Sequence, residues 1–186
     1  MKRLLILVSG LMLTAVVPAV AQPTQRIGLA AYLQAGYAGL KMNLTQAAER
    51  MPEADYDSKP SSMTEVRTYG QIFAHVAEAQ FSGCAGVKGE PNPHQGRRLE
   101  EELKTKAEFA QVLADSFAFC DDVFSSLTDA TALEFVPQGP REFVRSAPLV
   151  GLLAHGSEMY GISTVYLRAK DLVPPSTERE MQQRGR

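Results

Sequence analysis

His155 and Met159 stand four residues apart in a stretch with strong helical periodicity. Side chains four apart lie one above the other on a helix face. The apolar stripe of this stretch runs Leu149, Leu152, His155, Met159, Ile162, Tyr166, so both residues are expected to face a core. An imidazole there needs a polar partner, because burying it alone costs stability. The partner available in the sequence is His75, which falls between Ile72 and Ala79 on the apolar side of another predicted helix. Two imidazoles and a thioether are ligand types for a transition metal. Imidazole suits zinc and nickel, whereas a thioether suits copper(I) and serves zinc poorly. Glu78 and Glu158 each lie three residues from one of these histidines and can orient an imidazole through its second nitrogen. The third histidine, His94, sits in a polar connector and is expected to be exposed.

Four amphipathic helices must position these groups. The first runs from about residue 25 to 51, with the stripe Ala30, Leu33, Tyr37, Leu40, Leu44, Ala47, Met51, and Pro52 ends it. The second spans about 69–87, capped by Thr68. The third begins between Arg97 and Glu101 and ends near Leu127, with the stripe Leu99, Leu103, Ala107, Ala110, Leu113, Phe117, Cys120, Phe124. Its charged run Glu100, Glu101, Glu102, Lys104, Lys106 reads as a solvated face. A link from 128 to 146 carries a helical turn near Leu133. The fourth helix has Ser146 as cap and Pro148 in its first turn, and runs to about Lys170. Pro174 and Pro175 stop it, and 176–186 is expected to be a flexible polar tail. No strand pattern of useful length stands out. The fold class is therefore all-α, a four-helix bundle.

The connectors bear on direction. The second helix is about 28 Å long at 1.5 Å per residue. The Pro- and Gly-containing connector 88–96 can span about 30 Å when extended. The third helix can therefore cross back and run parallel to the second. In that arrangement Cys84 and Cys120 come within about 6–12 Å of one level, against roughly 30 Å in a simple hairpin. Either a disulfide or two small buried hydrophobes is compatible with that spacing.

Of the 186 residues 45% are hydrophobic, enough for one domain, and the formal net charge of −2 gives no reason to expect nucleic acid or an anionic membrane as a partner. Lys2 and Arg3 precede an apolar run from Leu4 to Val17, then Pro18 and the small-x-small signal Ala19–Ala21. Residues 1–21 are thus expected to be a cleaved signal peptide, leaving a bundle over 22–175 that is exported to the periplasm or secreted, with no membrane contact after cleavage. Loss of Lys2 and Arg3 takes the 19 basic residues to 17 against 21 acidic, a net charge of −4. The expected partners are a small-molecule ligand and, as a homodimer, a second copy of the chain.

Three stretches together resemble the DinB family of bacterial helical bundles: Tyr69–Gln80; Leu152–Gly161 with Tyr166–Arg168 and Val173–Ser176; and Asp55–Tyr56 with Lys59–Pro60. The resemblance covers essentially the whole chain after the export segment. It implies an up-down-down-up bundle, as the connector length allows, and a divalent metal held by three histidines, one from the second helix and two from the fourth. Carried over by motif, those metal positions are His75, His155 and Met159, so the third histidine is replaced by methionine. Zinc or nickel is the metal the family implies, and Met159 makes copper(I) the alternative. The family includes thiol-dependent transferases and an isomerase. The expected function is a metal-dependent transferase or hydrolase-type enzyme acting on a small molecule. The alternative is a non-catalytic binding or interaction module that has lost its third ligand.

Overall fold

The computed structural model describes residues 24–185, and the expected export segment, residues 1–21, lies outside them. Helix α1 spans Leu29–Arg50. Gly28 offers it no side-chain cap, and the Ala30 N–H is instead taken by Asp129 Oδ1 at 2.8 Å. Its inward stripe is the expected one, with Leu33, Tyr37, Leu40, Leu44 and Ala47 buried. Helix α2 spans Tyr69–Lys88, opened by a reciprocal Thr68–Gln71 capping box and closed by Gly89 at φ 70°.

The single third helix expected from the sequence is two helices. Short α3 covers Leu99–Glu102, Leu103 is extended, and α4 runs Lys106–Ser125. The cause is a second capping box, Thr105 with Glu108, which starts a new helix at that point. The break shifts the inward face, so Phe109, Val112, Leu113, Ser116 and Phe117 are buried rather than Ala107 and Ala110. Lys106 is no solvated residue, because its Nζ donates to the carbonyls of Glu49 and Met51 at 2.7 Å each and finishes α1.

A two-stranded antiparallel hairpin, β1 Phe135–Gln138 and β2 Arg141–Val144, turns at Gly139 (φ 60°). The all-α expectation missed it because four-residue strands, one containing Pro137, carry too short an alternation to register. Helix α5 spans Ser146–Ala169, with Ser146 inside it rather than capping it. Ile162 is 38% exposed, and Ser163 takes the inward position between Met159 and Tyr166.

The expected flexible tail contains a further helix, α6, over Pro175–Arg184. The prolines expected to stop α5 are not what ends it: Asp171 turns left-handed (φ 57°), and Leu172 N–H and Asp171 N–H donate to the carbonyls of Leu167 and Arg168 at 2.9 and 3.1 Å, a Schellman end. Pro175 instead opens α6, its fixed φ suiting a first helical turn. The α6 side chains grip α1: Arg179 donates to Gln46 Oε1 at 2.7 Å and to Asn43, and Glu178 pairs with Arg50 at 2.5 Å.

The long helices share one apolar core. Helices α2 and α4 meet near their starts, where a Cβ on Gly70 would lie 2.4 Å from the Phe109 ring, and near their ends at Cys84 and Cys120. The two therefore run in the same direction. Those cysteines form a disulfide, with Cα atoms 5.6 Å apart. Helix α5 runs opposite to α2, since Tyr166 meets Tyr69 (ring centroids 5.9 Å apart) and Leu152 meets Gly83. It runs alongside α1 in the same sense, with Leu153 against Gly36 and Gly156 against Leu40.

Candidate metal centre

The opposed directions of α2 and α5 bring His75 and His155 together. Their ring centroids are 4.9 Å apart with the planes at 63°. Neither ring is fully enclosed: the His75 side chain is 27% exposed and His155 is half-buried. The His155 imidazole is held below its ordinary value of 6.5, first by burial, then by the neighbouring His75 and by Arg67, against an opposing pull from Glu158. It is therefore neutral at neutral pH, the state in which an imidazole can ligate a metal. Glu158 itself is exposed. Met159, the third expected ligand, is 6% exposed within the apolar core.

Helix α3 brings groups the sequence reading assigned to solvent. It is fastened to α2 at two points: Leu99 N–H donates to Glu78 Oε1 at 2.6 Å, and Gln71 Nε2 donates to the Glu100 carbonyl at 3.0 Å. That docking sets Glu100 Oε1 2.7 Å from His75 Nδ1. Arg67, just before α2, donates through Nε to Glu100 Oε2 at 2.7 Å and through Nη2 to Oε1 at 3.2 Å. The same Nη2 lies 3.1 Å from His75 Nδ1. The Arg67 carbonyl accepts the Tyr166 hydroxyl at 2.7 Å, tying this cluster back to α5.

Glu100 therefore does not belong to the solvated face expected of the run 100–106. Its neighbours Glu101 and Glu102 are exposed and pair with Arg98 and Arg97. A signal for the difference was present in the sequence. The Thr105-x-x-Glu108 box marks a helix start and hence a separate element before it. Glu78, weighed as an orienting carboxylate for His75, instead holds the N-terminal end of α3. One donor atom from each of His75, Glu78 and Glu100 lies within 4.8 Å of the other two, a grouping that fits a divalent metal. A polar groove of about 380 Å³ opens beside the cluster, lined among others by Arg67, Gln71, Glu78, Arg97, Arg98 and Glu100. His94 is not in this cluster and is not fully exposed as expected: it is half-buried on Phe81, with centroids 4.4 Å apart, and its Nδ1 lies 3.3 Å from Nη1 of Arg97 at the groove.

The structure thus joins His75 to His155, adds Glu100, Glu78 and Arg67, and leaves Met159 in the core. Several solved structures share the fold. A DinB-like protein from Bacillus cereus superposes with a TM-score of 0.60 at 16% identity, over 79% of this chain and 95% of that one. A conserved protein from Enterococcus faecalis gives 0.61 at 10% identity, over 77% and 97%. A DinB-like protein from Bacillus subtilis gives 0.58 at 15% identity, over 76% and 93%. No curated protein matches the chain. The DinB superfamily model matches residues 38–156, well over half of the sequence, and the chain belongs to that superfamily.

Proposed function

We propose that this chain is an exported, up-down-down-up four-helix bundle that binds a divalent metal at His75 and His155 and uses it as a transferase or hydrolase on a small molecule. The observation that carries the reading is the approach of the two imidazoles across α2 and α5, 4.9 Å between centroids. The donor chemistry fits. Two imidazoles with a carboxylate beside them suit zinc or nickel. Burial keeps His155 unprotonated at neutral pH. The residues that would hold the ion are His75 and His155, with Glu78 the carboxylate at hand next to His75. When bound, such an ion supplies a Lewis acid that activates a thiol or water nucleophile at neutral pH. The chain itself orients the imidazoles, while the groove lined by Arg67 and Gln71 offers polar contacts to a small ligand. Export is supported by the Cys84–Cys120 disulfide, which persists in oxidising compartments and is rare in the reducing cytosol.

The test is metal analysis of protein purified without an affinity tag, followed by titration with zinc, nickel and copper(I). Stoichiometric binding that is lost in both His75→Ala and His155→Ala is the expected result. A wild-type protein that carries no metal and binds none of the three ions sinks the proposal. A second reading, a binding module without turnover, is favoured by Met159, which stands in the core where the family pattern places a histidine. Metal-dependent turnover in the wild type that His75→Ala abolishes rules this second reading out, and Met159→His asks separately whether position 159 belongs to the site. If position 159 faces the same ion, the substitution raises zinc affinity; an unchanged affinity means that Met159 only fills the core.

A further inference from the structure

We infer that Glu100 is the positioning residue of this centre: delivered by α3, it fixes the His75 proton on Nδ1 and leaves Nε2 as the ring's lone-pair nitrogen. The argument starts from two contacts that compete for one atom. Nδ1 lies 2.7 Å from Glu100 Oε1 and 3.1 Å from Arg67 Nη2. A ring nitrogen is either a donor or an acceptor. If Nδ1 were the acceptor, its lone pair would face a carboxylate oxygen at 2.7 Å, two acceptors with no proton between them. If Nδ1 carries the proton, it donates to Oε1, and the guanidinium satisfies itself on the carboxylate at 2.7 and 3.2 Å. Of the two neutral tautomers, only the second gives every group a partner, and the shorter contact is the one it keeps.

Arg67 is what makes Glu100 a dependable acceptor. Both carboxylate oxygens receive guanidinium N–H groups, so the carboxylate plane is fixed relative to the ring. Arg67 is itself anchored by Tyr166 of α5 through its carbonyl at 2.7 Å. Gln71 and Glu78 clamp the backbone of α3 on either side of this contact, at 3.0 and 2.6 Å. The helix carrying His155 and the helix carrying His75 are thus tied to one network, and the short α3 exists as its connecting piece. Glu100 is near enough to share an ion with His75 and Glu78, but with both oxygens engaged by Arg67 and one also on His75 Nδ1 we assign it to act through His75 rather than as a ligand in its own right. A carboxylate or carbonyl on the far nitrogen is how metal-binding imidazoles are oriented and made more basic.

The inference rests on the proposed metal reading only in its affinity measurement. The tautomer is read directly in metal-free, nitrogen-15-labelled protein by long-range proton–nitrogen correlation of the imidazoles. The wild type is expected to show His75 with the proton on Nδ1. Glu100→Ala is expected to shift it toward the Nε2–H form, and Glu100→Gln, which keeps an acceptor oxygen, to retain Nδ1–H. A wild-type ring protonated on Nε2 overturns the inference without any variant, and so does a ring unchanged in Glu100→Ala. Cobalt(II) affinity is expected to fall by about 10–100-fold in Glu100→Ala. If the wild type binds no metal yet its tautomer follows Glu100, the positioning role stands and the metal reading fails.

Discussion

Breaking the Cys84–Cys120 bond should remove a large share of this protein's stability. The bond spans 36 residues of sequence, a loop that contains the connector, all of α3 and most of α4. In the chain-entropy treatment a closed loop of that length restricts the unfolded chain by about 3.8 kcal/mol at 25 °C. Against a typical domain stability of about 5–15 kcal/mol, that is a quarter to most of the total. Both cysteines are fully buried, so the native bond should resist a reductant until the protein opens. The comparison is urea unfolding of oxidised and fully reduced wild type, followed by circular dichroism. The Cys84→Ala/Cys120→Ala double variant serves as the non-reoxidising control. The expected loss is about 3–4 kcal/mol, or roughly 6–16 °C in Tm at about 2–4 °C per kcal/mol for a chain of this size. A loss below about 1 kcal/mol would refute the entropic reasoning, since it would mean that the reduced unfolded chain is already nearly as restricted. Titratable thiols in the unreduced, folded protein would refute the bond itself.

Gly70→Ala should cost about 1–3 kcal/mol through overpacking, despite alanine's better helix propensity of about 1 kcal/mol. The new Cβ would lie 2.4 Å from the ring of Phe109, which is 2% exposed, stacks at 6.0 Å on Tyr56 and cannot give way. A variant as stable as wild type in urea would show that α2 and α4 are not in this close contact. His155 should make the metal-free fold acid-sensitive. Its folded pKa is below the ordinary 6.5, so the unfolded chain binds the proton more readily. Stability is therefore undiminished above pH 6.5 and falls as pH drops through 6.5, levelling off below the lowered folded value. Unfolding curves taken across that window should show a shallower pH slope in His155→Gln than in wild type, and an identical slope would contradict the shift.

The sequence alone determined the helices and the faces they bury, because both are local. The stripe of α1, the Thr68 cap of α2 and Pro52 after α1 act within a turn or two of the residues they govern, whereas the end of α5 is set by Asp171 and not by the prolines that follow. The same periodicity put His75 and His155 on the inner sides of their helices, although both rings stay half-buried beside the core rather than within it. Only the tertiary structure decided between alternatives that look alike along the chain. Glu100, Glu101 and Glu102 form one acidic run, yet Glu100 alone among them reaches His75, because Gln71 and Glu78 fasten α3 at one rotation and not another. Spacing left Cys84 and Cys120 open between a disulfide and two free thiols, since a level set to about 6–12 Å is coarser than the few ångströms a bond tolerates. The α6 helix, with its nearly all-polar sequence, has no stripe to announce it and is ordered by Asn43, Gln46 and Arg50 of α1. Local periodicity fixes what each segment is, whereas contacts between segments depend on how the connectors close and how each helix is rotated, and that is settled only when all the faces pack at once.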